Sequence, residues 1–369
     1  MRRHLAAGLM TALLIAACGS INAHYDRSKT HHRPDGFSNS DASVRIGQFP
    51  WYEILWRRTR GDFRPSEEPP GGYARFAAEW TTAVNLEKLQ NPGTDPQITW
   101  LGHAGILLQV AGQNLLIDPQ LSDHAGPLRL LSAKRRVPAP LTAAQLPKID
   151  RVLISHNHYD HLDEDTLLAL KAAGQQPIYM VPLGLKAWFD ARGLGPVIEM
   201  DWWDRQQLGP LTFTLTPAQH WSKRTLFDTN TSLWGGFHVE VQGQPQPAWR
   251  FLYTGDTGYS GDFKDIRRRL GPVDLLAVPV GAYEPRDFMA PQHTNPVDAV
   301  QILLDLEAAQ AIGVHWGTFE LTQERFDRPP VDVRAALAAK NLPETRLWMF
   351  KHGETRSLCE QTEVRSNPK

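Results

Sequence analysis

The run Ser155-His156-Asn157-His158-Tyr159-Asp160-His161-Leu162-Asp163 directly follows the apolar stretch Arg151-Val152-Leu153-Ile154. It places four metal-ligand side chains, in the pattern H-x-H-x-D-H, within six positions. A helix would scatter side chains at these spacings around its axis, whereas a loop leaving a strand end turns them towards one point. Each such polar group, buried without a partner, would cost about 1–3 kcal/mol. The cluster therefore reads as a metal site at the mouth of a buried strand, and the fold must bring that mouth within reach of further ligands. Imidazole and carboxylate without thiolate suit zinc, iron or manganese, with zinc the default. Four adjacent ligands are too many for one catalytic ion that keeps an open position, so they point to two ions sharing the loop.

Candidates for the remaining ligands end other apolar runs. His220 follows Leu211–Thr216, Asp256 sits in the glycine-flanked turn Gly255-Asp256-Thr257-Gly258, and His315 closes Ala311-Ile312-Gly313-Val314. Taken singly, each also fits a satisfied core or turn residue; taken in this order after the cluster, they supply what it lacks. Asp256-Thr257-Gly258 also matches the D-T-G of aspartic proteases, but that chemistry needs two carboxylates sharing a proton, and no second D-T-G occurs.

The rest of the chain reads as an α/β domain over residues 97–356. Short strands are expected at 98–102, 105–110 and 114–118, the last two separated by turn residues as in a meander. Asp163 is placed to cap a helix at 164–173 that Gly174 ends. Strands at 178–181 and 197–200 flank a helix at 185–192. A second set follows: strands at 211–216, 233–241, 249–254, 275–280, 312–315 and 346–350, with helices at 296–306 and 331–339. Strands with intervening helices in both halves argue for sheets layered between helices. Lys plus Arg number 39 against 40 Asp plus Glu, so no global field draws the chain to nucleic acid. Cys18 and Cys359 are the only cysteines, which excludes a disulfide framework and a C-x-x-C metal site.

Residues 1–17 carry Arg2-Arg3 and then an apolar stretch too short to span a bilayer as a mature helix. The sequence Ile15-Ala16-Ala17-Cys18 resembles a bacterial lipoprotein lipobox, which implies an exported chain lipidated at Cys18. Gly19 and Ser20 follow, by analogy favouring the outer membrane of the bacterial envelope. The alternatives are an ordinary cleaved signal or a short core helix. Residues 18–43, with His24 and His31-His32, read as a polar, solvated tether. Residues 44–96 form an aromatic and basic extension, suited either to a membrane interface or to wrapping over the domain. Residues 357–369 read as a polar tail.

The ligand set resembles that of the metallo-β-lactamase superfamily, which implies a four-layered αβ/βα sandwich with a dinuclear site at its edge. Within it the match is closer to the family of N-acyl-phosphatidylethanolamine-hydrolysing phospholipase D. The matching stretches include Thr99-Trp100-Leu101-Gly102-His103-Ala104, Leu153 through Asp163, Asp201-Trp202-Trp203, Gln219 through Leu226, Gly281 through Arg286 and His315-Trp316-Gly317-Thr318-Phe319. By that resemblance one zinc ion takes His156, His158 and His220, the other Asp160, His161 and His315, and Asp256 bridges them. Asp160, Asp256 and His293 are the implied catalytic residues. His293 lies beside the metals to position the phosphate or protonate the leaving alcohol, while Gln292, Lys223 and Arg224 are candidates for substrate binding. His103 is either a support for the site or a turn residue. The implied reaction hydrolyses a phospholipid to N-acylethanolamine and phosphatidic acid, which makes a membrane surface the partner. A homodimer is compatible with this reading. Two alternatives stay open: the same fold acting on another ester, lactone, thioester or phosphodiester, and a non-catalytic envelope lipoprotein.

Overall fold

A computed structural model describes residues 22–44, 46, 51–61, 66–93, 96–128, 132–242 and 249–358. Two seven-stranded mixed sheets face each other, with helices on their outer sides. The first sheet contains β1 (Gln97–Gly102), β2 (Gly105–Val110), β3 (Gln113–Ile117), β4 (Arg151–Leu153), β5 (Ile178–Pro182) and β6 (Val197–Met200). The second contains β7 (Arg205–Leu208), β8 (Leu211–Thr216), β9 (Gly236–Val241), β10 (Trp249–Tyr253), β11 (Leu275–Pro279), β12 (Gln310–Val314) and β13 (Leu347–Trp348). The last strand, β14 (Thr355–Ser357), returns to pair with β1 and completes the first sheet.

Spatially the first sheet runs β6-β5-β4-β3-β2-β1-β14 and the second β7-β8-β9-β10-β11-β12-β13. Each is antiparallel through its meander and parallel where helices cross over: β3 to β6 in the first, β10 to β13 in the second. The expected αβ/βα sandwich is the fold observed. Its two halves repeat one strand plan without repeating sequence.

Parallel strands covered on both faces must be apolar on both, which is why their sequences read as continuous hydrophobic runs. Leu115, Ile117, Leu153 and Met180 join the core between the sheets. Their neighbours Leu116, Val152, Ile154, Tyr179 and Val181 turn outward into a second core. That outer core is closed by α4 (Glu164–Ala172) and α5 (Lys186–Asp190), through Leu167, Leu170 and Phe189. Behind the second sheet lie α6 (Asp262–Leu270), α8 (Pro296–Asp305) and α9 (Arg328–Ala339), while the short α7 (Arg286–Met289) lines the cavity. Asn295 caps α8 with a reciprocal capping box to Asp298, and Pro296 opens its first turn. Asp163 stands at the cap position of α4, but its carboxylate accepts from the Ser122 amide and the Thr166 hydroxyl, tying the cavity-lining loop to the helix.

The tether reading is corrected for residues 22–44, which pack against the domain. His31 and His32 are buried on Asp201, and Phe37 enters the main core while its amide donates to Asn230 O at 2.9 Å. Asn22 is satisfied by Gly36 O. Polar composition misled here because these polar groups are spent on the fold rather than on water. The short helices α1 (Trp51–Arg60), α2 (Gly72–Glu79) and α3 (Leu86–Gln90) follow. Phe76 of α2 stacks into the core against Trp80 and Phe326, so part of the 44–96 extension wraps the domain. Among the described residues no helix is long and apolar enough to cross a membrane. The expected leader 1–17, the lipidation site Cys18 and the tail from 359 onward lie outside the described residues.

Candidate metal centre

The strand plan puts the ends of β3, β4, β8, β10 and β12 at one edge of the sandwich, and each delivers a side chain there. The loop after β4 carries His156, His158, Asp160 and His161. The segment after β8 carries His220, the turn after β10 carries Asp256, and His315 follows β12. All seven converge. The nitrogens His156 Nε2, His158 Nδ1 and His220 Nε2 form one group, with separations of 2.9 and 3.3 Å from His158 to its two neighbours. Asp160, His161 and His315 form a second, and His103 joins it. Asp256 Oδ2 sits between the two groups: 3.0 Å from His161, 3.2 Å from His315, 3.9 Å from His220 and 4.0 Å from His156.

The local backbone explains how these ends meet. Gly255 has φ +63, and a Cβ there would lie 2.7 Å from Gly235 O and 3.0 Å from the Ser155 side chain, so only glycine lets the Asp256 turn approach the ligand loop. His103, Asp118 and His315 are non-glycine residues with φ of 51, 38 and 63, a region that costs roughly 1–3 kcal/mol apiece. Three strained residues at one sheet edge are held there by the surrounding hydrogen bonds.

The outer nitrogens of three ligand imidazoles, His156, His161 and His220, are oriented by the fold. His156 Nδ1 meets Ser155 Oγ at 2.9 Å, and His220 Nδ1 donates to the Gln292 carbonyl at 2.9 Å. His161 Nδ1 donates to Asp118 Oδ2 at 2.7 Å. Asp118 is wholly buried and also accepts from the Ser155 amide and the Tyr253 hydroxyl. A carboxylate behind a metal-facing histidine fixes its tautomer and raises its basicity. His103 Nε2 lies 3.0 Å from Asp160 Oδ2 and its ring 4.0 Å from that of His315, so it supports the second group rather than merely turning the chain.

The electrostatics fit a pair of cations. Burial opposes ionisation of Asp256, yet His161, His315 and His293 outweigh it and hold its carboxyl well below the usual range. Asp160 is held down in the same way, chiefly by His161 against the pull of burial. Burial pushes His158 down to about 4 and His220 and His293 to about 3, and with its imidazole neighbours pushes His156 well below its ordinary value. For His161 and His315 burial is outweighed by the carboxylates, and His315 rises to about 9. Three neutral ligand imidazoles, His156, His158 and His220, and two carboxylates that draw positive charge onto His161 and His315 therefore face each other in a closed space. Asp256 Oδ1 is buried there without any partner. That orphaned acceptor and the all-nitrogen-and-oxygen donor set fit two divalent metal ions.

The remaining predicted residues separate. His293 Nε2 is 3.8 Å from Asp256 Oδ2, and its ring packs on His220 and His315. Gln292 is buried, accepting from Trp221 Nε1 at 2.8 Å through its side chain and from His220 through its carbonyl, so it positions a ligand. Lys223 lines the cavity in front of the metals. Arg224 is a correction: its guanidinium turns inward to the carbonyls of Asn157 and Leu162 and lies 4.0 Å over the Tyr159 ring, bracing the ligand loop from behind. The cavity itself holds about 700 Å³. The metal-ligand edge forms its floor, and Trp221, Pro285, Phe288, Met289 and Leu321 contribute apolar walls.

A family model described as a β-lactamase superfamily domain matches residues 113–316. The chain belongs to that superfamily. Within the metallo-β-lactamase superfamily it is 37% identical over 268 residues to N-acyl-phosphatidylethanolamine-hydrolyzing phospholipase D 1 of Caenorhabditis elegans, covering 69% of this chain and 74% of the relative. It is 38% identical over 237 residues to the mitochondrial enzyme of that name from Saccharomyces cerevisiae, covering 63% of this chain and 49% of that protein. An isothiocyanate hydrolase from Delia radicum gut bacteria has the same fold, with a TM-score of 0.57 at 20% identity over 71% of this chain and 98% of its own. The protein is thus a metal-dependent hydrolase of the metallo-β-lactamase superfamily.

Proposed function

We propose that the protein is a zinc-dependent phosphodiesterase of the phospholipase D type that hydrolyses N-acyl-phosphatidylethanolamine, or a closely related phospholipid, at a membrane surface. The observation that carries this reading is the cavity: a floor of metal ligands and one lining lysine under apolar walls suits a phosphodiester joined to acyl chains. The names of the relatives at 37–38% identity point the same way. The rim adds support. Leu226 and Phe227, 81% and 92% exposed, follow Lys223, and Leu128 follows the lining residue Pro127. Helix α1 docks beside the cavity through Arg57, over the Phe288 ring and 3.0 Å from Asp287, and leaves Leu55 and Trp56 exposed. Apolar and aromatic side chains of this kind settle at a lipid interface. Lipidation at Cys18 and export to the cell envelope would keep the enzyme beside that surface.

His156, His158, His220, Asp160, His161, His315 and Asp256 would hold two zinc ions, which when bound would supply Lewis-acid stabilisation of phosphoryl oxygens and a lowered pKa of water, towards about 7. The protein's own groups arrange the rest. Asp118, Ser155, His103 and the Gln292 carbonyl hold the ligand side chains in place. Lys223 faces the cavity as a cation for a phosphoryl oxygen. His293, neutral through burial, offers an N–H to position a phosphoryl oxygen next to Asp256. The apolar walls exclude water from the acyl chains and leave the headgroup bond over the floor. Hydrolysis breaks the bond between phosphorus and the N-acylethanolamine oxygen and adds water across it: the hydroxyl stays on phosphorus as phosphatidic acid, and the proton leaves with the alcohol.

Product analysis by mass spectrometry tests this. The purified chain, given N-acyl-phosphatidylethanolamine in mixed phospholipid vesicles, is expected to release N-acylethanolamine and phosphatidic acid, and a chelator is expected to stop it. Cleavage of a lactone or thioester with the phospholipid left intact would overturn the substrate assignment.

A further inference from the structure

A second cluster of metal-ligand atoms lies away from the cavity, where the N-terminal segment crosses the domain. His31 Nε2 and His32 Nε2 approach the two oxygens of one carboxylate, Asp201, at 2.7 and 2.9 Å. The three side chains are at most 9% exposed. His31 is stacked on Trp202 with ring centroids 4.4 Å apart, and His32 stands edge-on to Phe37 at 5.1 Å, so neither ring is free to turn. Asp201 itself is anchored by the Trp202 amide at 2.8 Å.

The hydrogen bonds of His32 do not close on either neutral tautomer: they need a second proton on the ring or a metal ion in front of Nε2. Its Nδ1 lies 2.8 Å from the His24 carbonyl, a contact that is favourable only if Nδ1 carries the proton. A neutral imidazole protonated at Nδ1 then turns a bare Nε2 lone pair towards Asp201 Oδ2 at 2.9 Å, acceptor against acceptor. With the proton on Nε2 instead, the Asp26 amide can donate to Nδ1 at 3.1 Å, but the shorter His24 contact becomes acceptor against acceptor. A backbone carbonyl accepting from Nδ1 fixes the tautomer whose Nε2 lone pair is free for a metal, and here that lone pair and the Asp201 carboxylate point at one place.

We propose that His31, His32 and Asp201 bind a further divalent transition-metal ion, zinc as the default for imidazole with carboxylate, as a structural clamp separate from the catalytic centre. Lys29, whose Nζ touches Asp201 Oδ2, occupies part of this place in the absence of the ion. It sits on an exposed turn with a side chain 36% exposed, so it swings outward when the ion enters. The clamp fixes the segment that carries Asn39, whose side-chain oxygen accepts from the backbone amide of the catalytic-centre residue His220 at 2.9 Å. The ion thereby steadies a ligand of the other site through the chain, without touching it.

The test is metal analysis of the full chain saturated with zinc and desalted. His32→Ala is expected to hold about one ion fewer per chain than the wild type, whatever number the catalytic centre retains. Lys29→Ala, which keeps all three ligands, is expected to bind that ion at least as tightly in a competition titration, and to melt at or above the wild-type temperature in zinc. A purely ionic latch predicts the opposite for Lys29→Ala: a lower melting temperature that zinc does not restore. Equal zinc content in wild type and His32→Ala, or a Lys29→Ala protein destabilised regardless of zinc, would overturn the proposal. Loss of phospholipid cleavage alone bears only on the proposed function, because the count and the melting shift are read without substrate.

Discussion

Asp256 is the residue on which both metal groups depend. Its Oδ2 lies within 4.0 Å of five imidazoles, and its Oδ1 is buried without a partner. Asp256→Asn keeps the shape and removes the anion, so the chain should lose bound zinc and its turnover should fall by about 10³-fold or more, the effect of several kcal/mol. Metal content and steady-state kinetics measured together check this; near wild-type turnover with two ions bound would refute the bridging role. Asp118→Asn acts one step back. An amide there cannot accept from all of Ser155, Tyr253 and His161, so zinc affinity should weaken by about 10–100-fold, with turnover recovering in excess zinc. The contrast between these two residues shows what was legible beforehand. His156, His158, Asp160 and His161 announce themselves by spacing, and Asp256 by its glycine-flanked turn. Asp118 and His103 look like ordinary turn residues after a strand, because their partners lie dozens of positions away and only the sheet order brings them close.

At the scale of elements, the strands buried on both faces were readable from their apolar runs, and β3, β4 and β5 fall within a residue or two of expectation. The misses share a cause. β7 is Arg205-Gln206-Gln207-Leu208, an edge strand paired only to β8, and carries no apolar signal because water covers its free side. Helix α6 is strongly charged, and its core face rests on Phe263 and Ile266 within a run of acids and arginines. The loop from His220 to Asn230 shows how an element can reassign a residue. Lys223 and Arg224 are neighbours, yet one reaches the cavity and the other is folded back under the ligand loop, its side chain 8% exposed. Arg224→Met should therefore cost about 1.5–3 kcal/mol, the worth of hydrogen bonds from a charged group, while KM for phospholipid stays unchanged in the folded fraction. Lys223→Ala should do the reverse, raising KM with no shift in the denaturation midpoint. Denaturant unfolding paired with Michaelis kinetics separates the two; a raised KM for Arg224→Met at unchanged stability would return that residue to the substrate.

At the scale of the whole molecule, the metal ligands floor the cavity, and two elements beside it carry exposed apolar side chains. The net formal charge is −1, so long-range attraction to an anionic surface is weak and contact must come from apolar groups. Leu226, Phe227 and Trp56 project from two unconnected elements, the loop after His220 and helix α1, which each flank the cavity. A side chain of this size gains about 1.5–3 kcal/mol on leaving water completely, so under the proposed function even partial insertion of three of them would hold the enzyme on a bilayer. Replacing all three by serine should lower the rate on N-acyl-phosphatidylethanolamine in vesicles by at least tenfold. The rate on a short-chain, monomerically dissolved analogue should not change, since none of the three touches the metal ligands, and zinc content should stay at the wild-type value. Sedimentation with vesicles supplies the binding arm of the same experiment. If the triple variant cleaves vesicle and dissolved substrate at wild-type rates, the apolar rim is not the membrane contact.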